Sequence, residues 1–353
     1  MKGLEFPIVG TKVKGVTRKF DLADTKERKA YFEAKAGDEI KQVRRYLEKN
    51  TFVAYMVGKK NSGKGTYFNL FSQLFGTDRV AQVSVGDVVR EIDAGWEEFE
   101  KTEDFAKLKR IYRGYMPFEE AVEALRGRSQ SKLLPTEFIL ALLKLKIDKL
   151  KGKAIFLDGM PRDTDQVSYS LFFRDLADYR DDPDLFILID IPMSVIDERI
   201  KYRVMCPRCR NSRNTKLLVT KDVRYDETKK VFYLMCDSEG CGTRMEPKEG
   251  DEVGIAPIKA RLEKDEEVLK AVFGLHGIPK VLLRNHVPAA AAGKYFDDYE
   301  LTPEYVLSRS GQKVEVGEKP WTIKDDSGVV SNSLLAPPVV VSMLKQLPEA
   351  LGL

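Results

Sequence analysis

A parallel α/β sheet of five strands, with helices on both faces, is the fold class that this sequence predicts. Three observations predict it. Five short apolar runs punctuate the chain, helical patterns fill the gaps between them, and a glycine-rich loop follows the first run directly. Runs that are continuous rather than alternating mark strands buried on both faces, as parallel strands sheathed by helices are. The length, 353 residues, suits about two domains at ~150 residues each. The 43% hydrophobic fraction is enough for a sizeable core.

Residues 1–23 carry little periodicity and read as a strap or edge segment. Asp24 with Glu27 three residues on has the form of a capping box, opening a charged helix to about Glu48. The five expected strands are Thr51 to Val57, Val80 to Val85, Ala154 to Leu157, Leu185 to Asp190 and Lys280 to Leu283. A helix over Pro135 to Lys151 opens with proline, whose missing N–H costs nothing in a first turn. Two stretches break the alternation. Glu91 to Gln130 is polar, charged and helical, with no strand pattern. Cys206 to about Asp251 holds alternating segments such as Val231 to Met235, which predict short antiparallel strands. Both read as inserts on the carboxyl edge of the sheet, where α/β proteins bind ligands. The tail, 301–353, holds an Ala336-Pro337-Pro338 turn and a last helix near Val341 to Leu351.

Composition excludes several classes of function. Lys and Arg number 59 and Asp and Glu 55, a formal charge of +4. So mild and interspersed a balance gives no electrostatic case for nucleic acid as the main partner. No apolar run approaches the ~18 residues of a membrane span, and Met1 to Pro7 lacks the apolar core of a signal peptide. All four cysteines, Cys206, Cys209, Cys236 and Cys241, fall within 36 residues. A stapled secreted protein would be small and would spread them. This clustering predicts one metal site in a reducing compartment, the cytoplasm. The spacing, Cys-x2-Cys then Cys-x4-Cys, suits four thiolates around a tetrahedral structural Zn²⁺ with no open position for catalysis. The alternative is four unligated thiols.

The loop Gly58-Lys59-Lys60-Asn61-Ser62-Gly63-Lys64-Gly65-Thr66 satisfies G-x4-G-K-x-T between a strand and a helix. Successive backbone N–H groups and the helix N-terminus there can wrap a phosphate. Lys64 can reach the β/γ-phosphates, and the Thr66 hydroxyl can approach Mg²⁺. Asp158 ends the third strand and opens Asp158-Gly159-Met160-Pro161-Arg162, with Gln166 following. A carboxylate at that strand tip suits a magnesium-water site.

Together these motifs resemble the adenylate kinase family of nucleoside monophosphate kinases. The loop ending Gly63-Lys64-Gly65-Thr66 is the family's form. Ser84-Val85-Gly86-Asp87-Val88-Val89-Arg90 is similar to its acceptor-site motif, with Val85 in place of Thr. Lys132-Leu133-Leu134-Pro135-Thr136-Glu137 is similar to the stretch enclosing the acceptor base. Asp158 to Arg162 resembles Asp-Gly-Phe-Pro-Arg, with Met160 for Phe. Asp197 to Arg203 resembles the arginine pair at the hinge of the lid, and Ala260-Arg261-Leu262 the returning arginine. The motifs run in family order from residue 51 to about 290.

The resemblance implies a P-loop kinase core over 51–300, with a helical acceptor insert over 87–134 and a zinc-ribbon lid over 204–252. Extensions of unstated role flank it at 1–50 and 301–353. It implies catalytic roles for Lys64, Arg162, Arg203 and Arg261, and an ATP site of Gly58, Asn61, Ser62, Gly63, Lys64, Gly65, Thr66, Arg199 and Arg203. The implied acceptor site is Val85, Gly86, Arg90, Leu134, Gly159, Arg162 and Gln166, with Thr66 and Asp158 linked to Mg²⁺. ATP and a nucleoside monophosphate, AMP foremost, are then the partners, and a monomer is expected. Zinc-bearing lids are known in this family. The usual lid Arg is missing from Lys248-Glu249-Gly250-Asp251-Glu252, and Lys248 or Arg244 stands nearest to it. His276 and His286 match nothing catalytic, and a helix end and a post-strand loop are their ordinary readings.

Three other functions compete. A CMP, UMP or other monophosphate kinase would share every motif. A P-loop ATPase or switch would place a water-activating Glu or Gln beside Asp158, where the sequence has Gly159. A zinc-ribbon nucleic-acid binder would need a basic surface. The ribbon's Arg208, Arg210, Arg213, Lys216 and Lys221 are offset by Asp226, Glu227, Asp237 and Glu239.

Overall fold

Alternate residues of the central strand face opposite sides of the sheet, and both sides are buried. The computed structural model describes residues 3–127, 134–150, 152–171, 183–311 and 313–353. The first four strands are β1 (Val53–Gly58), β2 (Val80–Ser84), β3 (Ala154–Asp158) and β4 (Asp184–Asp190). The lid region adds β5 (Arg203–Met205), β6 (Ser212–Asn214), β7 (Val223–Asp226), β8 (Val231–Leu234) and β9 (Glu246–Pro247). Then come β10 (Lys280–Arg284) and β11 (His286–Pro288), and in the tail β12 (Pro303–Ser310), β13 (Lys313–Pro320), β14 (Ile323–Lys324) and β15 (Val330–Ser333). Five of these form the expected parallel sheet in the order β10-β4-β1-β3-β2. Ala54 and Met56 pack into one core with Phe156, Ile187 and Leu283, while Val53, Tyr55 and Val57 pack into the other with Ile155, Leu157 and Leu188. That is the period of two that a pleated strand imposes.

Helices α1 (Thr25–Leu47) and α2 (Lys64–Phe75) cover the first face. The segment after β2, α3 (Val85–Ala94), α4 (Trp96–Phe99), α5 (Glu103–Ile111) and α6 (Phe118–Arg126), has no strand among the described residues. Its Trp96, Leu108 and Leu125 join the second core with Phe138 and Leu142 of α7 (Thr136–Asp148). The helices that follow are α8 (Asp165–Leu171), α9 (Met193–Lys201), α10 (Lys259–Phe273), α11 (Ala289–Tyr295) and α12 (Ala336–Ala350). Val268 and Val272 of α10 complete the second face, and Val340, Leu344 and Leu347 of α12 complete the first.

Four local details differ from the sequence expectation. The capping box at α1 is half formed: Asp24 accepts from the amides of Lys26 and Glu27, but Glu27 pairs with Arg18 at 2.5 Å instead of returning to the Asp24 amide. The second strand stops at Ser84, because the Ser84 hydroxyl accepts from the Asp87 amide and starts α3 at Val85. Pro337 and Pro338 are not a turn. They lie in the first turn of α12, where proline gives up no helical hydrogen bond. His286 is not in a loop; it is 2% exposed on β11, which pairs antiparallel with β15, and its ring nitrogen lies 3.2 Å from Asp190. The stretch from Val231 forms the expected antiparallel pair, β7 with β8. Lys132 and Leu133 lie outside the described residues, as does Lys151.

The two chain extensions meet on the first face of the sheet. The amides of Thr11 and Lys12 donate to the Tyr295 carbonyl at 3.0 and 3.2 Å, and Lys345 donates to the Gly10 carbonyl at 2.8 Å. At their junction Glu300, wholly buried, accepts from the Tyr31 hydroxyl and the Thr11 hydroxyl, both at 2.6 Å, and from the Asp297 amide at 2.6 Å. Burial and this carboxylate push the Tyr31 hydroxyl's pKa well above its ordinary value. Glu300→Ala strands two buried hydroxyls and the partly buried Asp297 amide at once and should destabilise the protein by roughly 3 kcal/mol in urea titration. A loss below about 1 kcal/mol would show the junction to be dispensable.

Candidate active site

Parallel pairing brings the functional segments together at the carboxyl edge of the sheet. Asp158 on β3 stands beside Met56 of β1 on one side and Ser84 of β2 on the other. The phosphate loop leaves β1 through Gly58, where a Cβ would lie 3.0 Å from both the Ile189 side chain and the Ser62 hydroxyl. Gly63 caps α2 with φ +102°, and a side chain there would meet the Tyr67 ring at 2.9 Å. Lys64, the first residue of α2, folds back so that its Nζ donates to the Gly58 and Lys59 carbonyls at 2.9 and 3.3 Å, 3.8 Å from Asp158.

A cleft of about 1990 Å³ opens over this edge, and most of the expected residues line it. From the loop come Gly58, Asn61, Ser62, Gly63, Lys64, Gly65 and Thr66; from elsewhere come Arg90, Asp158, Gly159, Arg162, Arg199, Arg203 and Arg261. Most of its arginines are held by polar partners. Arg203 forms a two-pronged pair with Asp251 at 2.6 and 2.7 Å, Arg261 pairs with Asp265 at 2.9 Å, and Arg90 pairs with Asp87. Arg199 donates to the Asn285 side chain at 3.2 Å. Arg162 is different, because its buried Nε has no hydrogen-bond partner among the described residues. Burial lowers the pKa of this guanidinium, and the like charges of Arg261 and Arg90 push the same way, against Asp158 and Asp265. Gly159 makes room for it: φ is +89°, and a Cβ would lie 2.7 Å from the Arg162 Nη2.

Val85, Gly86, Leu134 and Gln166 are not among the residues that line this cleft. Gly86 lies beneath the guanidiniums of Arg90 and Arg162, 3.3 and 3.5 Å from where its Cβ would be. Gln166 accepts from the Arg162 amide at 2.9 Å and donates to the Thr136 hydroxyl at 3.1 Å, so it braces Arg162. Val85 is 2% exposed and packs into the second core; Leu134 is half-buried against that same core. Of the two stand-ins for the missing lid Arg, Arg244 is occupied by Asp226 at 2.9 Å and lies over the Tyr233 ring.

Several site residues escaped the sequence reading. Asp265 accepts from the Lys60 amide at 2.8 Å while holding Arg261, thus tying the phosphate loop to α10. Its signal was the i, i+4 spacing from Arg261 on one helix face. Asn285 donates to the Tyr67 hydroxyl at 2.9 Å and receives the Ser333 hydroxyl at 3.1 Å, which links Arg199 to both α2 and the tail. The tail also lines the cleft through Tyr305, Lys319, Trp321, Asn332 and Leu334. No motif marks these positions.

In the lid the four cysteine sulfurs all lie within 4.8 Å of one another. Cys206 and Cys241 are 3.5 Å apart and Cys209 and Cys236 3.4 Å, far beyond the ~2.05 Å of a disulfide. Four sulfurs about 2.3 Å from one centre stand about 3.8 Å from each other in a tetrahedron, so the cluster fits a metal ion. The Ser238 hydroxyl and the Asn211 backbone hold the Cys209 thiol down at about 6, while burial pushes Cys236 up to about 11.

Fold and site together define a P-loop phosphotransferase. No protein-family model matches the chain, but curated relatives do. An adenylate kinase of Clostridium acetobutylicum is 28% identical over 240 residues, 64% of this chain and 93% of the relative. Adenylate kinases of Thermotoga petrophila and Thermotoga maritima are each 27% identical over 244 residues, 65% of this chain and 94% of theirs. The chain is a relative of the adenylate kinases and, with them, a phosphotransferase. About a third of it falls outside these matches. No helix among the described residues is long and apolar enough to cross a membrane.

If the cysteine cluster holds a metal, stripping it with a chelator under reducing conditions should lower Tm and free four thiols to Ellman's reagent. Thiols that titrate equally before and after chelation, with Tm unmoved, would rule that out.

Proposed function

We propose that the protein is an ATP-dependent nucleoside monophosphate kinase, specifically an adenylate kinase running ATP + AMP ⇌ 2 ADP by direct in-line transfer. One observation carries this reading: Lys64, Arg90, Arg162, Arg203 and Arg261 converge on one cleft with Asp158, and the buried Nε of half-buried Arg162 has no hydrogen-bond partner among the described residues. An ATPase needs one anion site and an activated water. Two phosphate groups brought together need cationic donors on both sides of the transferred group.

The acceptor is already an ionised phosphate, so no general base is required. Alignment and neutralisation of charge on the equatorial oxygens do the chemistry. Arg90 and Arg162 hold the acceptor phosphate bidentately. Gly86 and Gly159 leave the space beneath those guanidiniums clear, and Gln166 with Leu134 reads the base. The loop amides from Gly58 to Thr66 cradle the donor phosphates, and Arg199 stacks on the donor base. Lys64 swings from its carbonyl contacts onto the moving phosphoryl group, and Arg203 and Arg261 close over it. Thr66 and Asp158 are the residues suited to hold Mg²⁺, which would supply neutralisation of the phosphate charge. The lid metal is Zn²⁺ with a structural role.

In this reading the core runs over 51–300, with the acceptor insert at 87–134, the lid at 204–252 and extensions at 1–50 and 301–353. The protein works as a cytoplasmic monomer. AMP is the favoured acceptor: Val85 sits in the core and offers no hydrogen bond, which leaves base reading to Leu134 and Gln166. Those two residues follow the family pattern.

Initial rates with ATP and a panel of AMP, CMP, UMP, GMP and dTMP should rank AMP first. A CMP or UMP preference would move the acceptor while keeping the reaction class. Lys64→Ala should cut kcat by ~10²-fold or more in folded protein, because it acts on charge that develops during transfer. Parental turnover in that variant would defeat the phosphate-loop assignment. Arg162→Ala should raise the KM for the monophosphate.

A further inference from the structure

The tail reaches the phosphate loop with a single carboxylate. Lys59, the second residue of the loop, is wholly buried, and its Nζ donates to the Ile191 carbonyl at 3.1 Å and to Asp326 at 2.8 Å, with Glu266 at 3.3 Å. Asp326 belongs to the turn between β14 and β15, far from every motif in the sequence. That turn is rigidly built. Asp325 accepts from the amides of Ser327 and Val329, both at 2.9 Å, and its own amide donates to the Val329 carbonyl at 2.9 Å.

The other oxygen of Asp326 accepts from the Met193 amide at 2.8 Å. Met193 opens α9, whose N-cap is Pro192 and has no side-chain cap of its own. Asp326 therefore caps that helix from a distant part of the chain, placing negative charge where the helix dipole favours it. The same helix carries Arg199. Ser194 adds a second tie, donating from its hydroxyl to the Lys324 carbonyl at 2.8 Å. One carboxylate thus spans the two elements that, in the proposed function, hold the triphosphate and the base of the donor.

We infer that Asp326 is a positioning residue for the donor nucleoside triphosphate, fixing the phosphate loop through Lys59 and the Arg199 helix through Met193. It touches neither reacting group, and it serves the donor alone. Among the described residues no hydrogen bond or ion pair ties it to Arg90, Arg162 or Gln166 on the acceptor side. The inference rests on the kinase reading for what the cleft binds.

The test is steady-state kinetics on the full chain. Asp326→Asn keeps the size of the side chain but removes the charge facing Lys59. It should raise the KM for ATP about 3–10-fold with the AMP KM within about twofold of parental. Lys59→Met should act the same way, and the double variant should cost no more than the larger single change, because the two residues work as one unit. Asp326→Glu, which restores the charge, should bring the ATP KM back towards the parental value. An ATP KM unchanged in folded Asp326→Asn overturns the inference, as do equal rises for both substrates or additive effects in the double variant. If the single variants do not fold, the double variant, which leaves no lone buried charge, is read by the same ATP-selective criterion. The parental protein separates the two levels of the argument. If it phosphorylates no monophosphate, the kinase reading fails. Displacement of a fluorescent ATP analogue from parental and Asp326→Asn protein then still decides the role of Asp326.

Discussion

The phosphate loop has to present its amides at the end of a strand buried on both sides, and the rest of the molecule is arranged around that demand. Gly58 is pressed against Ile189 and Ser62, and Gly63 is pressed against the Tyr67 ring in a left-handed turn. A loop so tightly seated cannot shift without disturbing the first core, to which Ile189 and Tyr67 belong. Rigidity of this kind suits phosphoryl transfer, where the protein contributes position and charge rather than covalent chemistry. Its cost is a dense set of supports, and these come from unexpected places: Asp265 from α10, Asp326 from the tail, and Asn285 from the segment after β10.

Positive charge is the second theme. The cleft gathers Arg90, Arg162, Arg199, Arg203, Arg261 and Lys64 with Asp158, and most are tethered to a carboxylate or carbonyl that leaves them poised without a bound anion. Arg162 is the exception, half-buried with its buried Nε unsatisfied among the described residues, over a glycine that gives it room. A buried donor without a partner is costly, and it is retained here where an anionic ligand would satisfy it.

The extensions turn a core of familiar size into a larger single body. Helices α1 and α12 lie on one face of the sheet and share a core with α2, and the strap is pinned to the tail through Glu300. The hairpin of β12 and β13 reaches across to the lid: the Tyr305 amide donates to the Lys216 carbonyl at 2.7 Å, and Arg309 pairs with Glu227 at 2.5 Å. The same tail lines the cleft beside Arg199. Segments with no counterpart among the recognisable motifs thus touch the phosphate loop, the lid and the wall of the site.

What the sequence determined by itself is local or periodic. The five strands were legible because continuous apolar runs are needed only by strands buried twice. The phosphate loop was legible because its glycines answer to backbone geometry within nine residues, and the cysteine quartet because sulfur ligands must converge on one ion. Element ends were less legible, since Ser84 and Pro337 could belong to strand, turn or helix until a hydrogen bond decided between them. Only the tertiary structure could decide the roles of Asp265, Asn285 and Asp326. Asp326 meets Lys59 across 267 positions of sequence, and nothing about an aspartate in a Lys-Asp-Asp-Ser-Gly turn says which buried cation it faces. Long-range ion pairs leave no period or spacing in the chain, because the fold alone brings their partners together.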